Sequence, residues 1–334
     1  MKHILLLGTG GTIACKSGTY GLSPQIACEE LLSYVPEARD ICHVDAVQLL
    51  NIDSTEIHVE HWLKIADMIE KNYRAYDGFV VTHGTDTMAY TAAALAYLIQ
   101  NSAKPVVLTG AQRPINTAFT DARNNLLDSL CFASCDQAHG VNIVFNGNVI
   151  AGTRGKKIRT KSFHAFYSIN FPQIASIIDG KIRFYLQESM PKQDSICFFH
   201  QLNDRVALLK LTPGLTANVL DYMAAHFDAV VIEGFGVGGL PSVKPYDFLH
   251  AAERWIQRGK VIVMATQVTE EGSDMSRYEV GQRIKCEYDL LESFDMTIES
   301  VITKMMWILG QTSDIKEIKR LFYTPVYHDL LPTK

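Results

Sequence analysis

Ile4-Leu5-Leu6-Leu7, running into Thr9-Gly10-Gly11-Thr12-Ile13, and Phe79-Val80-Val81, running into His83-Gly84-Thr85-Asp86-Thr87, decide how this chain folds. Each apolar run is short and bounded by glycine, the pattern of a buried strand. In parallel α/β sheets, ligands bind in the crevice beyond the carboxyl ends of strands. Two hydroxyl-rich turns at two such ends predict one site with two threonines facing a substrate.

Outward from these runs, strand and helix patterns alternate. Val44 to Leu50 reads as a strand, and Val59, Trp62, Ile65 and Ile69 share one helical face. Pro105 to Leu108 and Val141 to Phe145 are further strands, with a helix from Asp121 to Phe132 between them. Such alternation implies parallel βαβ units. From Gly147 to Tyr185 the pattern breaks into loops and short strands. A polar, proline-containing stretch, Glu188 to Ser195, then reads as a linker. Strands at Val206 to Leu209, Ala229 to Ile232 and Val261 to Met264 follow, with helices between and after them. The fold class expected is α/β. A larger N-terminal domain (1–187) carries a doubly wound, mainly parallel sheet. A linker (188–204) joins it to a smaller C-terminal α/β domain (205–334).

A length of 334 residues suits two domains. A hydrophobic fraction of 47% with 20% charged residues is that of a globular protein rather than a disordered one. The net charge of −5 and the lack of any like-charge block give no reason to expect nucleic acid. Seven scattered cysteines form no CxxC pair and no metal-ligand cluster, so a reduced thiol set, mostly buried, is expected, with no metal and no cofactor. The apolar stretch at Ile4 to Leu7 is too short for a signal peptide, and no run reaches transmembrane length. A cytoplasmic location without membrane contact is the expectation.

The glycine-rich turn at Gly8 to Ile13 resembles a dinucleotide fingerprint, but that motif wants Gly or Ala where Ile13 stands, close against a helix. No helix pattern follows for about a dozen residues; Lys16 to Pro24 reads instead as a polar loop. Thr12 is then either a β-branched turn residue or a nucleophile. A nucleophile needs a base and an oxyanion site, and the flanking glycines leave backbone N–H groups to supply the latter. Gly18 and Gly21 bracket Tyr20, which suits either a mobile lid or a surface aromatic. Asp86 and Ser54 each precede a helical pattern, and capping would explain either. Lys157 is one charge in a basic stretch, and spacing does not select it over Lys156 or Lys161.

Taken together, the chain resembles the bacterial-type L-asparaginases, most closely their cytoplasmic type I branch. The resemblance rests on TGGTIA at Thr9 to Ala14, NIDST at Asn51 to Thr55, and YDGFVVTHGTDTMAYTAAAL at Tyr76 to Leu95. TGAQ at Thr109 to Gln112, GTR at Gly152 to Arg154, RTKSFHAF at Arg159 to Phe166, EGFGVGG at Glu233 to Gly239 and EEGSDMSRYEVG at Glu270 to Gly281 extend it over nearly the whole chain. It implies hydrolysis of L-asparagine to L-aspartate and ammonia through a threonine nucleophile and an acyl-enzyme, with a weaker activity on L-glutamine. Thr12 matches the nucleophile and Tyr20 the lid tyrosine. Thr85, Asp86 and Lys157 match a second catalytic cluster; Lys157 is singled out because it lies nine residues before Phe166. Ser54 and Asp86 match residues that bind the substrate's α-carboxylate and α-amino groups. Asp53 and Thr55 match neighbouring substrate-side positions, and Ala111 a backbone contact to the substrate amide. No cofactor is implied; a homodimer or homotetramer is.

Departures from the family pattern carry expectations of their own. Secreted members place an asparagine in the neighbouring subunit's site, where this chain has Gly236-Val237-Gly238-Gly239. A cross-subunit contribution would then come from Ser276 to Gly281. An allosteric asparagine pocket of some cytoplasmic members uses an arginine, a threonine and a cysteine where Glu233, Lys156 and Val268 stand here, so none is expected. An amidotransferase subunit of the same family would carry an extra domain before the first strand, which here starts at residue 4. A non-catalytic amino-acid binder would not need Thr12, Thr85, Asp86 and Lys157 together.

Overall fold

The computed structural model describes residues 1–18, 21–187, 189–277 and 290–331. The chain divides into two compact units, Met1–His200 and Gln201–Lys334. In the first, the strands in chain order are β1 (His3–Gly10), β2 (Cys15–Gly18), β3 (Gly21–Pro24), β4 (His43–Ile52), β5 (Gly78–Thr82), β6 (Ile99–Gln100) and β7 (Pro105–Thr109). There follow β8 (Gly140–Phe145), β9 (Asn148–Ala151), β10 (Gly155–Lys157), β11 (Phe166–Ser168), β12 (Ala175–Ile178), β13 (Lys181–Phe184) and β14 (Cys197–Phe198).

Eight of these strands form one sheet in the order β13-β12-β9-β8-β7-β5-β1-β4. The five from β8 to β4 are mutually parallel, and β9, β12 and β13 add antiparallel. The sheet is therefore mainly parallel, as expected. Strands β5 and β7 are buried at every residue, and β1 from Ile4 onward. A central parallel strand is covered on both faces, so its sequence is a continuous apolar run. On the helix Val59–Asn72, Trp62, Ile65, Ala66 and Ile69 are buried, while Val59 stays partly exposed. The alanine-rich helix Met88–Leu98 is buried at all positions but Tyr90. Small side chains let its backbone approach on every side.

The described residues of the polar stretch Lys16 to Pro24 are strands rather than loop. Strands β2 and β3 pair antiparallel, Cys15 opposite Pro24 and Gly18 opposite Gly21. Apart from buried Cys15 this ribbon lies at the surface, with Leu22 53% exposed, and so lacks the apolar run that marks a buried strand. Strand β14 pairs antiparallel with β6.

The second unit carries β15 (Val206–Lys210), β16 (Ala229–Gly234), β17 (Val261–Thr266) and β18 (Leu291–Glu292), parallel and in that order. Its core gathers Leu220, Val230, Ile232, Phe248, Trp255 and Met264. Lys304 and Asp329 form a fully buried ion pair at 2.7 Å. Removing one partner of such a pair is far costlier than the pair is stabilising.

Cys15, Cys28 and Cys42 are buried, Cys131 and Cys135 partly so, and Cys197 is exposed. Packing thus explains three of the six described thiols. Burial pushes Cys15 up to about 11 and Cys28 to about 12, which keeps both as unreactive thiols at neutral pH. Among the described residues no helix is long and apolar enough to cross a membrane.

Candidate active site

The sheet order reverses about β1, with β4 on one side and β5 and β7 on the other. Such a switch point opens a crevice at the carboxyl ends of the strands. Thr12, Ser54, Thr85-Asp86 and Ala111 follow the carboxyl ends of β1, β4, β5 and β7, four adjacent parallel strands.

Glycine brings these turns into contact. Gly11 has φ +75°, and a Cβ there would lie 2.3 Å from the Gly84 nitrogen. A Cβ on Gly84 would lie 2.5 Å from Ser54 Oγ. Neither position admits a side chain, so the two threonine motifs touch backbone to backbone, with Ser54 beside them. The Gly11 N–H donates to the Ile52 carbonyl at 3.0 Å. That amide is committed to joining two turns, contrary to its expected availability for an oxyanion. Thr9 Oγ1 donates to the Thr82 carbonyl at 2.8 Å, a second tie between β1 and β5. Thr12 opens a single 3-10 turn, Thr12–Ala14, and is partly exposed. Its hydroxyl forms no hydrogen bond among the described residues. Tyr20 lies outside the described residues, as does the part of the Ser276 to Gly281 stretch beyond Arg277.

Lys157 reaches the site from β10, opposite Phe166 of β11. Successive residues of a strand face opposite ways, so Lys156 is turned from the side that Lys157 serves. Lys157 Nζ donates to Thr85 Oγ1 at 2.7 Å and to Asp86 Oδ1 at 2.6 Å. Thr85 is buried; the Lys157 side chain is 14% exposed and that of Asp86 60%. Asp86 therefore keeps one side toward solvent. It does not cap the helix Met88–Leu98, whose N-cap residue is Thr87 without a side-chain cap. Thr87 Oγ1 instead donates to the Ser54 carbonyl at 2.7 Å.

The same reversal occurs at NIDST. Asp53, not Ser54, caps the short turn Ser54–Glu56, accepting from Thr55 N at 2.9 Å and Thr55 Oγ1 at 2.8 Å. Asp53 and Thr55 thus hold each other at the exposed rim, while Ser54 is buried beneath.

Gln112 joins the site, though only its place in TGAQ marked it in the sequence. Its Nε2 donates to the carbonyls of Arg159 at 3.3 Å and Ser162 at 3.1 Å. Thr85 Oγ1 donates to its Oε1 at 3.4 Å. Asp121 stands at the N-cap of the helix Ala122–Ala133 without a side-chain cap, and its carboxylate accepts the N–H groups of Gln112 at 2.9 Å and Arg113 at 3.1 Å. Burial holds its carboxyl above the ordinary value, while these N–H groups and Asn125 pull the other way.

His83 is fully buried at the end of β5. His83 Nδ1 faces the Gly84 carbonyl, an acceptor only, at 2.7 Å and so carries the proton. Burial pushes His83 down to about 4, which leaves the ring neutral at pH 7. Its Nε2 then accepts from the Thr91 hydroxyl at 3.0 Å, and Trp62 Nε1–H donates to Thr91 Oγ1 at 2.9 Å. Folding therefore gains from neutral His83 in full above the ordinary histidine pKa of about 6.5 and loses it as pH falls through about 4. Between pH 7 and pH 4 this costs about 3 kcal/mol. Urea unfolding at both pH values checks it: the parent should lose that much more stability than His83→Gln. Equal losses would remove His83 as the cause.

Residues 3–190 match the family model described as asparaginase, N-terminal, and residues 205–322 the glutaminase/asparaginase C-terminal domain. An L-asparaginase of Thermococcus kodakarensis is 37% identical over 319 residues, 95% of this chain and 96% of the relative. A solved structure of the thermostable L-asparaginase from Thermococcus kodakarensis superposes with a TM-score of 0.93 at 35% identity, covering 99% of this chain and all of that one. A probable cytoplasmic L-asparaginase from Campylobacter jejuni gives 0.81 at 26% identity, covering 96% and 99%. A glutamyl-tRNA(Gln) amidotransferase subunit of Pyrococcus horikoshii is 33% identical over 345 residues, covering 99% of this chain and 77% of the relative. The chain belongs to the asparaginase family.

Proposed function

We propose that this protein is an L-asparaginase that hydrolyses the side-chain amide of L-asparagine through an ester on Thr12. The observation that carries this reading is Lys157 Nζ within 2.7 Å of both Thr85 and Asp86, on a turn packed through Gly84 against the Thr12 turn. Asp86, partly open to solvent, pairs with the substrate's ammonium in a charge-assisted bond. Ser54 holds the carboxylate, with Asp53 and Thr55 at the rim and the Ala111 backbone at the amide.

Thr12 Oγ attacks the amide carbonyl. The C–N bond breaks, nitrogen leaves as ammonia with the proton it has gained, and an ester remains. Water then cleaves the ester, restoring the Thr12 hydroxyl and releasing aspartate. Thr85, Lys157 and Asp86 handle the protons on the fixed side, and Tyr20 closes the other. Residues 1–187 act as the catalytic domain of a cytoplasmic homodimer or homotetramer that requires no cofactor.

The test is ammonia release by the purified protein from L-Asn, L-Gln and D-Asn. L-Asn is expected to be the best substrate. Discrimination against L-Gln is modest, because one methylene is worth about 1–3 kcal/mol in a pocket. No ammonia from any of the three would overturn the reading in favour of an amino-acid binder. A second reading, as one component of an amidotransferase, has 99% coverage by the Pyrococcus horikoshii relative in its favour. Efficient release of free ammonia from L-Asn by this chain alone separates the two.

A further inference from the structure

We propose that Gln112 is a positioning residue that aims the Thr85 hydroxyl, its own amide held by the backbone that follows Lys157. The proposal rests on the reading of Thr85 as part of the catalytic machinery. It begins from the orientation of one amide. Gln112 Nε2 faces two carbonyl oxygens, those of Arg159 and Ser162. Only an NH2 group satisfies both, so the amide cannot be turned the other way. Oε1 is thereby left facing Thr85 Oγ1.

The other side of Thr85 Oγ1 is taken by Lys157 Nζ, donating at 2.7 Å. A hydroxyl has one proton to give. With a charged lysine donating to its oxygen, that proton is directed at Gln112 Oε1. The 3.4 Å separation makes this a weak hydrogen bond. It selects the resting direction of the rotor yet releases it readily when Thr85 must turn toward Lys157 or a reacting group.

Gln112 is itself held at its root, because both it and Arg113 donate backbone N–H groups to the buried Asp121 carboxylate. A side chain that orients a reacting group needs such an anchored origin. Its far end is held by the segment from Arg159 to Ser162, which begins two residues after Lys157. One side chain thus spans the turn after β7, the hydroxyl after β5 and the loop after β10. Glutamate would set an acceptor before two carbonyls, methionine offers no polar atom of the right kind, and asparagine falls one methylene short.

The experiment is a double-mutant cycle on steady-state ammonia release from L-Asn, with Gln112→Met, Thr85→Ala and the pair, at high enzyme concentration. Gln112→Met should lower kcat by about tenfold to a hundredfold with KM changed by less than about threefold, the mark of lost orientation rather than lost binding. In the Thr85→Ala background the same change should cost less than about twofold, since a residue acting through Thr85 has nothing left to aim. Gln112→Asn, a smaller polar replacement, carries the same expectations and keeps the test open if Gln112→Met misfolds. An unchanged kcat, or the same loss with Thr85 absent, would overturn the proposal. Thr85→Ala with undiminished kcat would instead overturn the reading of Thr85 itself.

Discussion

Thr12→Ala should fold, bind L-asparagine and release ammonia at about a thousandth of the parent rate or less, the loss seen when a nucleophile is removed. The change deletes a hydroxyl and a methyl from a partly exposed residue in a one-turn helix. The contacts that place this turn are made by the backbone of Gly11, against Gly84 and the Ile52 carbonyl, and survive the substitution. Stability should therefore move by about 1 kcal/mol or less. Binding should persist because the groups proposed to hold the amino acid, Asp86 and Ser54, lie on other turns. Calorimetric titration with L-asparagine and an ammonia assay on the same preparation separate these effects. Turnover within about tenfold of the parent would place the nucleophile elsewhere, with Thr85 the next to examine.

The apolar strands were legible because β1, β5 and β7 are buried on both faces, which leaves a continuous hydrophobic run in the sequence. The β2–β3 ribbon was not, since only Cys15 of its described side chains is buried and it carries no such run. Within the site, the sequence displays spacing but not partners. Asp86 and Asp121 both stand where a helix cap would stand, and neither side chain caps a helix. One pairs with Lys157, seventy-one positions away, and the other reaches back to the backbone of Gln112 and Arg113. Lys156 and Lys157 are indistinguishable until β10 pairs with β11 and turns one of them inward. Family resemblance supplied that choice ahead of the geometry. The Gly11 amide was misjudged as open to an oxyanion, because its commitment to the Ile52 carbonyl depends on β4 lying next to β1.

Lys157 carries the second large expectation: Lys157→Met should reduce kcat by about a hundredfold to ten-thousandfold, the range for loss of a general acid or base. Lys157 Nζ lies 2.7 Å from Thr85 Oγ1 and 2.6 Å from Asp86 Oδ1, so its removal withdraws the amine that can exchange protons with Thr85 and the charge beside Asp86 together. Lys157→Arg divides the two roles. Arginine keeps the positive charge for Asp86 but does not give up its proton in a protein. If Lys157 works as a base in its neutral form, the arginine variant should be as inactive as the methionine one while binding L-asparagine near the parent affinity. If it serves only as a fixed charge, arginine should restore most of the rate. Stability should hardly report the difference, because Asp86 is 60% exposed and such a pair contributes about 0–1 kcal/mol. Recovery of kcat to within about threefold of the parent in Lys157→Arg would therefore remove proton transfer from Lys157 and leave it an electrostatic role alone.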